Sequence, residues 1–558
     1  MNTRSAHYVT FLVVVFAAMT PLCLRAYLVG SPDGLDKMST NADIICKARA
    51  VSFAVITNEA FRPLHGFETR ATKLEIVSIL KGNFSTKFML FQHYASNPQD
   101  RMGRMYSPQH YELDVGQCYL IFAVKTAHEG EFRQIRLSHT GKEDEGVLHT
   151  LDDRPLPDVS VKDAHWLELN LLLNDTSPTK QLYAIRQLSA MSKGCGRQWG
   201  HTDDFKREAL LKVLLPLVTH ANDKVAIAAL NCFPAAPDCA AQIAPYEDAL
   251  IQIANNASSV ARRVTAIAAF TGTKFSVVSN ALPQWLGDAA EDVRLQAVLL
   301  LPDFPGEFSE QALRERSADA SAKVRAGVAD AIGNGTIVSL LPTLKQLLSD
   351  PVGLTNPVPP LTTDQLHAGG RVWGGNNSDV HTAAGHALLK FDVQQVSDIL
   401  KANLTDEGFR PNYLCKLAEN DAGPWLTNLV EVLETRRIRV EKEVEASGVE
   451  PKAHYLQARM ALSGTYFKCW NIIHKYLHAL PATEFADGKM NRCLDALENA
   501  GDTGSREPTM LYELYRMKGL NKRAAKFRSD NEKRFAVYNI NQFFDKVDAK
   551  YPNTRDIP

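Results

Sequence analysis

At 558 residues the chain is too long for one hydrophobic core, so two to four domains are expected. Its hydrophobic share of 45% and charged share of 22% are those of an ordinary globular protein. A formal net charge of −1 argues against a general nucleic-acid binder, whose surface is basic overall.

The first segment reads as a targeting signal. Arg4 and His7 precede an apolar run over 9–24, which suits a signal-peptide core better than a full membrane span. Residues 1–26 are taken as a signal peptide, and the mature chain as exported to a bacterial periplasm, a cell envelope or the extracellular space. If the segment is retained it is an N-terminal anchor, the one route to a membrane. Residues 27–40 carry Gly30, Pro32, Gly34 and Ser39 and read as an exposed lead-in.

Cysteine usage agrees with export. Without Cys23, eight cysteines remain, an even number that suggests disulfides in an oxidising compartment. Cys232 and Cys239 flank a Pro-containing turn and suit a local staple. Cys46 and Cys118 lie on two predicted strands of one small domain and could pair across it. The remaining connectivity is open. No Cys-x-x-Cys spacing points to a metal, and no metal site is predicted.

From Asp43 the pattern is that of β-structure. Strands are predicted over 44–57, 72–80, 87–93, 118–125 and 132–136, with a turn at Lys81-Gly82. Several short strands in so short a stretch suggest a small barrel or sandwich. Three segments carry a resemblance: Ala42-Asp43-Ile44-Ile45, Leu74 through Gly82, and Val115-Gly116-Gln117-Cys118-Tyr119-Leu120-Ile121-Phe122-Ala123. Together they resemble the netrin-like, tissue-inhibitor-of-metalloproteinase-like OB-fold domain of exported bacterial proteins, over 41–137. The inhibitor branch of that family chelates the protease zinc through an N-terminal Cys-x-Cys. This sequence lacks that motif at its expected mature start. The resemblance therefore implies an interaction module, with a protease-inhibitor-like role as an alternative.

Residues 138–160 are polar and Pro-containing and read as a linker, with Asp152-Asp153 solvated. Helix follows from Val161. The valines Val225, Val260, Val293 and Val324 recur about 31 to 35 residues apart, the period of stacked helix pairs. First helices are predicted over 210–218, 246–254, 277–286 and 310–317, and the second helix of each pair carries the valine with small residues such as Ala229, Ala266, Ala297 and Ala329. Neither helix of a pair can bury its stripe alone, so neighbours stack around a shared core. The motif resembles HEAT-like repeats of the kind named for phycobilisome lyases, which implies an α-solenoid over 161–435 and a binding role. The fold class is thus a small all-β OB-like barrel followed by an all-α solenoid of HEAT-like helix pairs.

One repeat is interrupted. The gap from Val324 to Val380 exceeds the period by about 20–25 residues, which places an insertion at 355–377. Loops inserted in a repeat project from one edge, often the binding side. His367, Arg371, Trp373, Asn376, Asn377 and His381 supply one aromatic anchor, one cation and several polar groups, and are the candidate binding residues. His381 and His386 lie on different faces of a helix, unlike a His-x-x-x-His metal pair. Gly369-Gly370 and Gly374-Gly375 lack the Gly-Lys-Ser/Thr ending of a phosphate loop.

Beyond 436 a C-terminal helical region runs to 558. Its basic stretch, 516–534, reads as a solvated face, or as a contact for an acidic partner or anionic lipid. No residues in the chain form a catalytic constellation, and no cofactor is implied. The reading is a non-catalytic scaffold for a protein or peptide partner, without nucleic acid. The alternatives are the inhibitor-like β-module and a lyase-like enzyme on the repeat edge.

Overall fold

The computed structural model describes residues 32–57, 61, 64, 66–97, 108–137, 145–192, 202–233, 240–351, 379–447, 464–500, 506–532 and 540–552. Residues 1–26, Cys195, Cys239 and the insertion therefore lie outside the described residues. The chain divides into two compact units, Met1–Phe304 and Pro305–Pro558. That boundary falls inside the span predicted as one array.

The first unit begins with strands β1 (Ile44–Val55), β2 (Phe67–Lys81), β3 (Phe88–Ser96), β4 (Cys118–Lys125), β5 (Glu131–Gln134) and β6 (Val147–His149). The order is β1-β2-β3-β5-β4, and β1 also pairs with β4, so five strands close a barrel. All pairings are antiparallel except β3 with β5. This is an OB-like barrel, with its strands where the sequence pattern placed them. Alternation turns Ile44, Cys46, Ala48 and Ala50 of β1 into a core with Leu74, Phe91, Tyr119 and Ile121. Gly82 ends β2 at φ +90, and a Cβ there would stand 2.5 Å from the Asp43 carbonyl oxygen, so the predicted turn needs glycine.

Strand β4 explains its own composition. Tyr119, Ile121 and Ala123 face the barrel core, while Leu120 and Phe122 point outward and are as fully buried. Helix α2 (Val161–Leu173) covers that outer face, with His165 against Phe122 at 5.5 Å between ring centres. A strand covered on both sides reads as a continuous apolar run rather than as alternation.

Two predicted connecting segments are structured. The lead-in contains helix α1 (Leu35–Asn41), whose Leu35 and Met38 are buried one helical turn apart. Its first turn is held where the Leu35 amide donates to Asp204 Oδ1 at 2.7 Å. The expected linker 138–160 contains β6, which pairs with β4. It is fastened further: the Leu156 amide donates to Ser78 Oγ at 3.1 Å, Arg49 pairs with Asp153, and Asp152 lies 3.6 Å from Lys47. Both acids are ion-paired, with Asp153 still 58% exposed as expected, because the segment lies across the outside of the barrel instead of spanning a gap.

Lys47, on the outer face of β1, is 1% exposed, as is Glu168 of α2, and their charged atoms meet at 2.7 Å. Next to this pair, the His149 amide donates to the hydroxyl of Tyr183 in α3 (Pro178–Ala190) at 3.2 Å. Barrel and first helices therefore share one interface within this unit.

Helices α4 (Arg207–Leu214), α5 (Asp223–Leu230), α6 (Glu247–Asn256), α7 (Val260–Ala268), α8 (Ser276–Leu286) and α9 (Glu291–Leu300) follow, with one short turn of helix at Ala240–Ile243. The second helices α5, α7 and α9 pack in succession, as the repeat requires. Val225 and Val293 are fully buried, with Ala229, Ala266 and Ala297. Val260 is only half-buried. In α7 the core positions pass to Ala266 and Ile267, so the motif slips along the helix there.

The second unit contains α10 (Glu307–Arg316), α11 (Ala322–Gly335), α12 (Leu341–Leu347), α13 (Val380–Leu388), α14 (Val393–Ala402) and α15 (Arg410–Leu417). These are followed by α16 (Leu426–Ser447), α17 (Thr465–Ala479), α18 (Asn491–Ala500), α19 (Arg506–Met517), α20 (Asn521–Glu532) and α21 (Ile540–Lys550). Helix α11 packs on α13, and a Cβ on Gly333 would meet Ala387 at 2.8 Å, so the two backbones approach at a glycine. Helix α16 runs through the predicted boundary at 435/436. The C-terminal helices share a core of Leu429, Trp470, Ile473, Leu497, Tyr515 and Phe544.

The basic stretch 516–534 is paired in part within the fold, and its residues 533 and 534 lie outside the described residues. Arg523 pairs with Asp495 and Glu498, and Arg528 with Asp545 and Asp548. Lys518 caps the end of α17 through the carbonyl of His478 at 2.7 Å. Arg523, Arg528 and Lys518 thus serve helix packing, while Lys522 and Lys526 are solvated as expected.

Candidate functional site

The turn edge of the repeats is built by a recurring cation. Arg263 of α7 pairs with Asp288 in the next turn, 25 residues on. Arg294 of α9 donates back to the carbonyls of Asp288 and Ala289 at 2.9 and 3.1 Å. The turn is thereby gripped from both sides, its carboxylate by one repeat and its carbonyls by the next.

The second unit repeats the device. Arg325 of α11 forms a two-pronged pair with Asp350, at 2.7 and 3.0 Å, again 25 residues on. It also donates to the carbonyl of Asp319 at 2.8 Å. A planar guanidinium has five donors and suits a position that joins carbonyls to a carboxylate. The hydrogen bond to Asp350 holds the guanidinium firmly charged.

In the following repeat the cation is His381. Nδ1 lies 2.7 Å from the Leu348 carbonyl oxygen and Nε2 lies 2.7 Å from Asp406 Oδ2, once more 25 residues on. Both ring nitrogens face acceptors, so both donate when the ring is protonated. Burial works against the charge, but the bonds to Leu348 and Asp406 outweigh it and raise the imidazole above its ordinary range. The His381 side chain is 14% exposed. His386, on the same helix, is pushed the other way by burial and then by Lys390. Below the rung, the Tyr413 hydroxyl is driven up by burial and by Asp406.

Of the candidate binding residues, His381 is thus placed in the ladder between repeats. His367, Arg371, Trp373, Asn376 and Asn377 lie outside the described residues. What can be located is the root of their segment. The chain leaves at Pro351, directly after the Leu348–Asp350 turn that Arg325 and His381 grip. It returns at Asp379, which caps α13 by accepting from the Thr382 amide at 3.1 Å. The insertion is therefore rooted on the turn edge. The ladder was missed in the sequence, although the spacing of 25 between each cation and its aspartate is visible there.

The disulfide expectation for Cys46 and Cys118 is overturned. Cys46 stands opposite Ile121 and Cys118 opposite Arg49, so the two are three positions out of register. Cys46 points into the core toward Met89 Sδ at 3.7 Å, and both thiols are free. Cys232 is buried and its thiol donates to the Ala228 carbonyl at 3.5 Å, while Cys239 lies outside the described residues.

The barrel offers a second surface. Strand β4 pairs with β1 only as far as Arg49, so Ser52 through Val55 run on beyond it, paired to β2 alone. Phe53 is 48% and Val55 62% exposed. Arg70 lies over the Phe53 ring at 4.6 Å, and on the opposite face of the sheet Lys73 lies over Phe88 at 4.5 Å. Among the described residues no helix is long and apolar enough to cross a membrane.

No protein-family profile and no curated protein sequence matches the chain. Solved structures give partial likenesses. Yeast importin-beta (Kap95p) aligns at 14% identity and TM-score 0.40, over 70% of this chain and 57% of its own. A structure titled importin beta in a polyethylene glycol condition aligns at 12% identity and TM-score 0.38, over 67% and 51%. The Escherichia coli protein YibA aligns at 16% identity and TM-score 0.30, over 47% of this chain and 85% of its own. The chain thus spans little more than half the length of the importin-beta structures. The assignment of barrel and helix pairs rests on the strand order and helix packing described above.

Proposed function

We propose that this protein is an exported, non-catalytic scaffold that engages a protein or peptide partner through its HEAT-like helix pairs. One observation carries the reading: the insertion is rooted on the turn edge, beside the rung at His381. Insertions in helix-pair repeats are usually binding loops carried at one edge of the scaffold. His367, Arg371, Trp373, Asn376 and Asn377 then supply the anchor and the polar contacts. The netrin-like barrel is the second interaction module, through the exposed strand end at Phe53 and Val55.

The test is affinity capture from the native envelope, with the intact protein beside a version lacking 355–377. Loss of a specific partner from the shortened protein supports the reading. If both recover the same partner equally, the insertion is not the binding element. The mass of the mature N-terminus tests export and the inhibitor alternative together. A start near residue 27 confirms processing, and a start without Cys excludes zinc chelation of the Cys-x-Cys type.

A further inference from the structure

Two thiols in the second unit face each other directly. Cys415 of α15 and Cys469 of α17 are 1% and 0% exposed, and their sulfurs lie 3.0 Å apart. The contact is reciprocal. Cys415 Sγ lies 3.8 Å from the Thr465 carbonyl oxygen, and Cys469 Sγ lies 3.9 Å from that of Pro411. Each sulfur thus sits over the carbonyl one turn before the other cysteine. The neighbouring residues hold this crossing: Thr465 Oγ1 donates to Asn412 Oδ1 at 2.6 Å, and Glu419 pairs with both Lys416 and Lys468. Leu414, Trp470 and Ile473 pack around it.

We infer that Cys415 and Cys469 are a disulfide site, whose closure ties the last HEAT-like repeat to the C-terminal helices. An S–S bond of about 2.05 Å needs the sulfurs to approach by roughly 1 Å, within reach of small side-chain rotations. The oxidant is a protein or small-molecule disulfide, of the kind that the exported location proposed above supplies. One cysteine thiolate attacks it, forming a mixed disulfide and releasing one thiol. The other then attacks the protein sulfur and releases the second thiol. Two protons and two electrons leave the chain, and the oxidant is reduced to two thiols. Since neither sulfur reaches solvent in the folded unit, the exchange takes place before α17 closes on α15. The cross-link spans 54 residues. Closing a loop of that length chiefly restricts the unfolded chain.

The experiment is refolding of the full chain from denaturant in a mixture of reduced and oxidised glutathione. Thiols are then blocked with iodoacetamide, and the protein is digested without reduction. The expected result is one dominant peptide linking Cys415 to Cys469, lost in Cys469→Ser. The oxidised form should also melt on the order of 5 °C or more above the reduced one. Recovery of both cysteines as alkylated peptides, or links made mainly to Cys493, overturns the assignment, and equal melting of the two forms overturns the staple. Should Cys469→Ser fail to fold, the peptide map of the unaltered chain decides alone. Because glutathione stands in for the compartment, failure here counts against this pair and leaves export untouched.

Discussion

His381 stands where Arg325 stands one repeat earlier. Each reaches back to a carbonyl of its own turn and forward to an aspartate 25 residues on, Asp406 and Asp350 respectively. The difference is chemical, since the guanidinium is charged at any working pH while the imidazole is not.

The rung at His381 makes the second unit sensitive to pH. The folded-state pKa is raised, so the stabilisation is complete below the ordinary imidazole value of 6.5 and is lost as pH rises through the raised value. Asp379 and Asp406 favour the proton, and Lys390 acts on the neighbouring His386. Melting curves from pH 5.5 to 8.5 should show stability falling across that window, and His381→Ala should flatten the slope while costing about 1.5–3 kcal/mol at the acid end. A slope unchanged by the substitution would falsify the assignment.

The buried pair of Lys47 and Glu168 joins barrel to helix. Removing Glu168 leaves the buried Lys47 with only the longer 3.6 Å contact to Asp152, so Glu168→Ala should cost about 3 kcal/mol in urea unfolding. The double variant Lys47→Met with Glu168→Leu should recover most of that loss. If the double variant is as unstable as the single one, the pair is not an isolated charge contact.

Gly333 is a packing glycine. In an exposed helix Gly→Ala gains about 1 kcal/mol. Here the added Cβ would press on Ala387 at 2.8 Å, so Gly333→Ala should instead destabilise by about 1–3 kcal/mol. A rise in the unfolding midpoint would show that α11 and α13 are free to separate.

Burial pushes the Cys46 thiol up to about 12. In the native protein at pH 8 it should resist iodoacetamide completely, and it should label in denaturant without any reductant. Labelling that needs reductant would restore a disulfide at this position.

Several features were legible from local pattern. Strand β4 was predicted to the residue because its apolar run is bounded by polar neighbours, and α9 and α11 announced themselves by a valine and alanines at helical spacing. Boundaries at α16 and in the segment 138–160 were not legible. There the sequence is polar, and only contact with the barrel surface turns it into β6 and a set of ion pairs. The lead-in misled for the opposite reason: its glycines and proline masked the short amphipathic turn at Leu35 and Met38.

By itself, the sequence determined the two kinds of secondary structure, their order and the place where the repeat is broken, because periodicity is a property of neighbouring residues. The tertiary structure alone decided the partners. Register put Cys46 opposite Ile121 instead of Cys118, because a slip of a few residues in an antiparallel pair changes every facing side chain. Packing brought Lys47 to Glu168, 121 residues away, and Cys415 to Cys469, 54 away. It also took His381 out of the set of exposed contact residues and made it a titratable rung, two residues after the described chain resumes at Asp379.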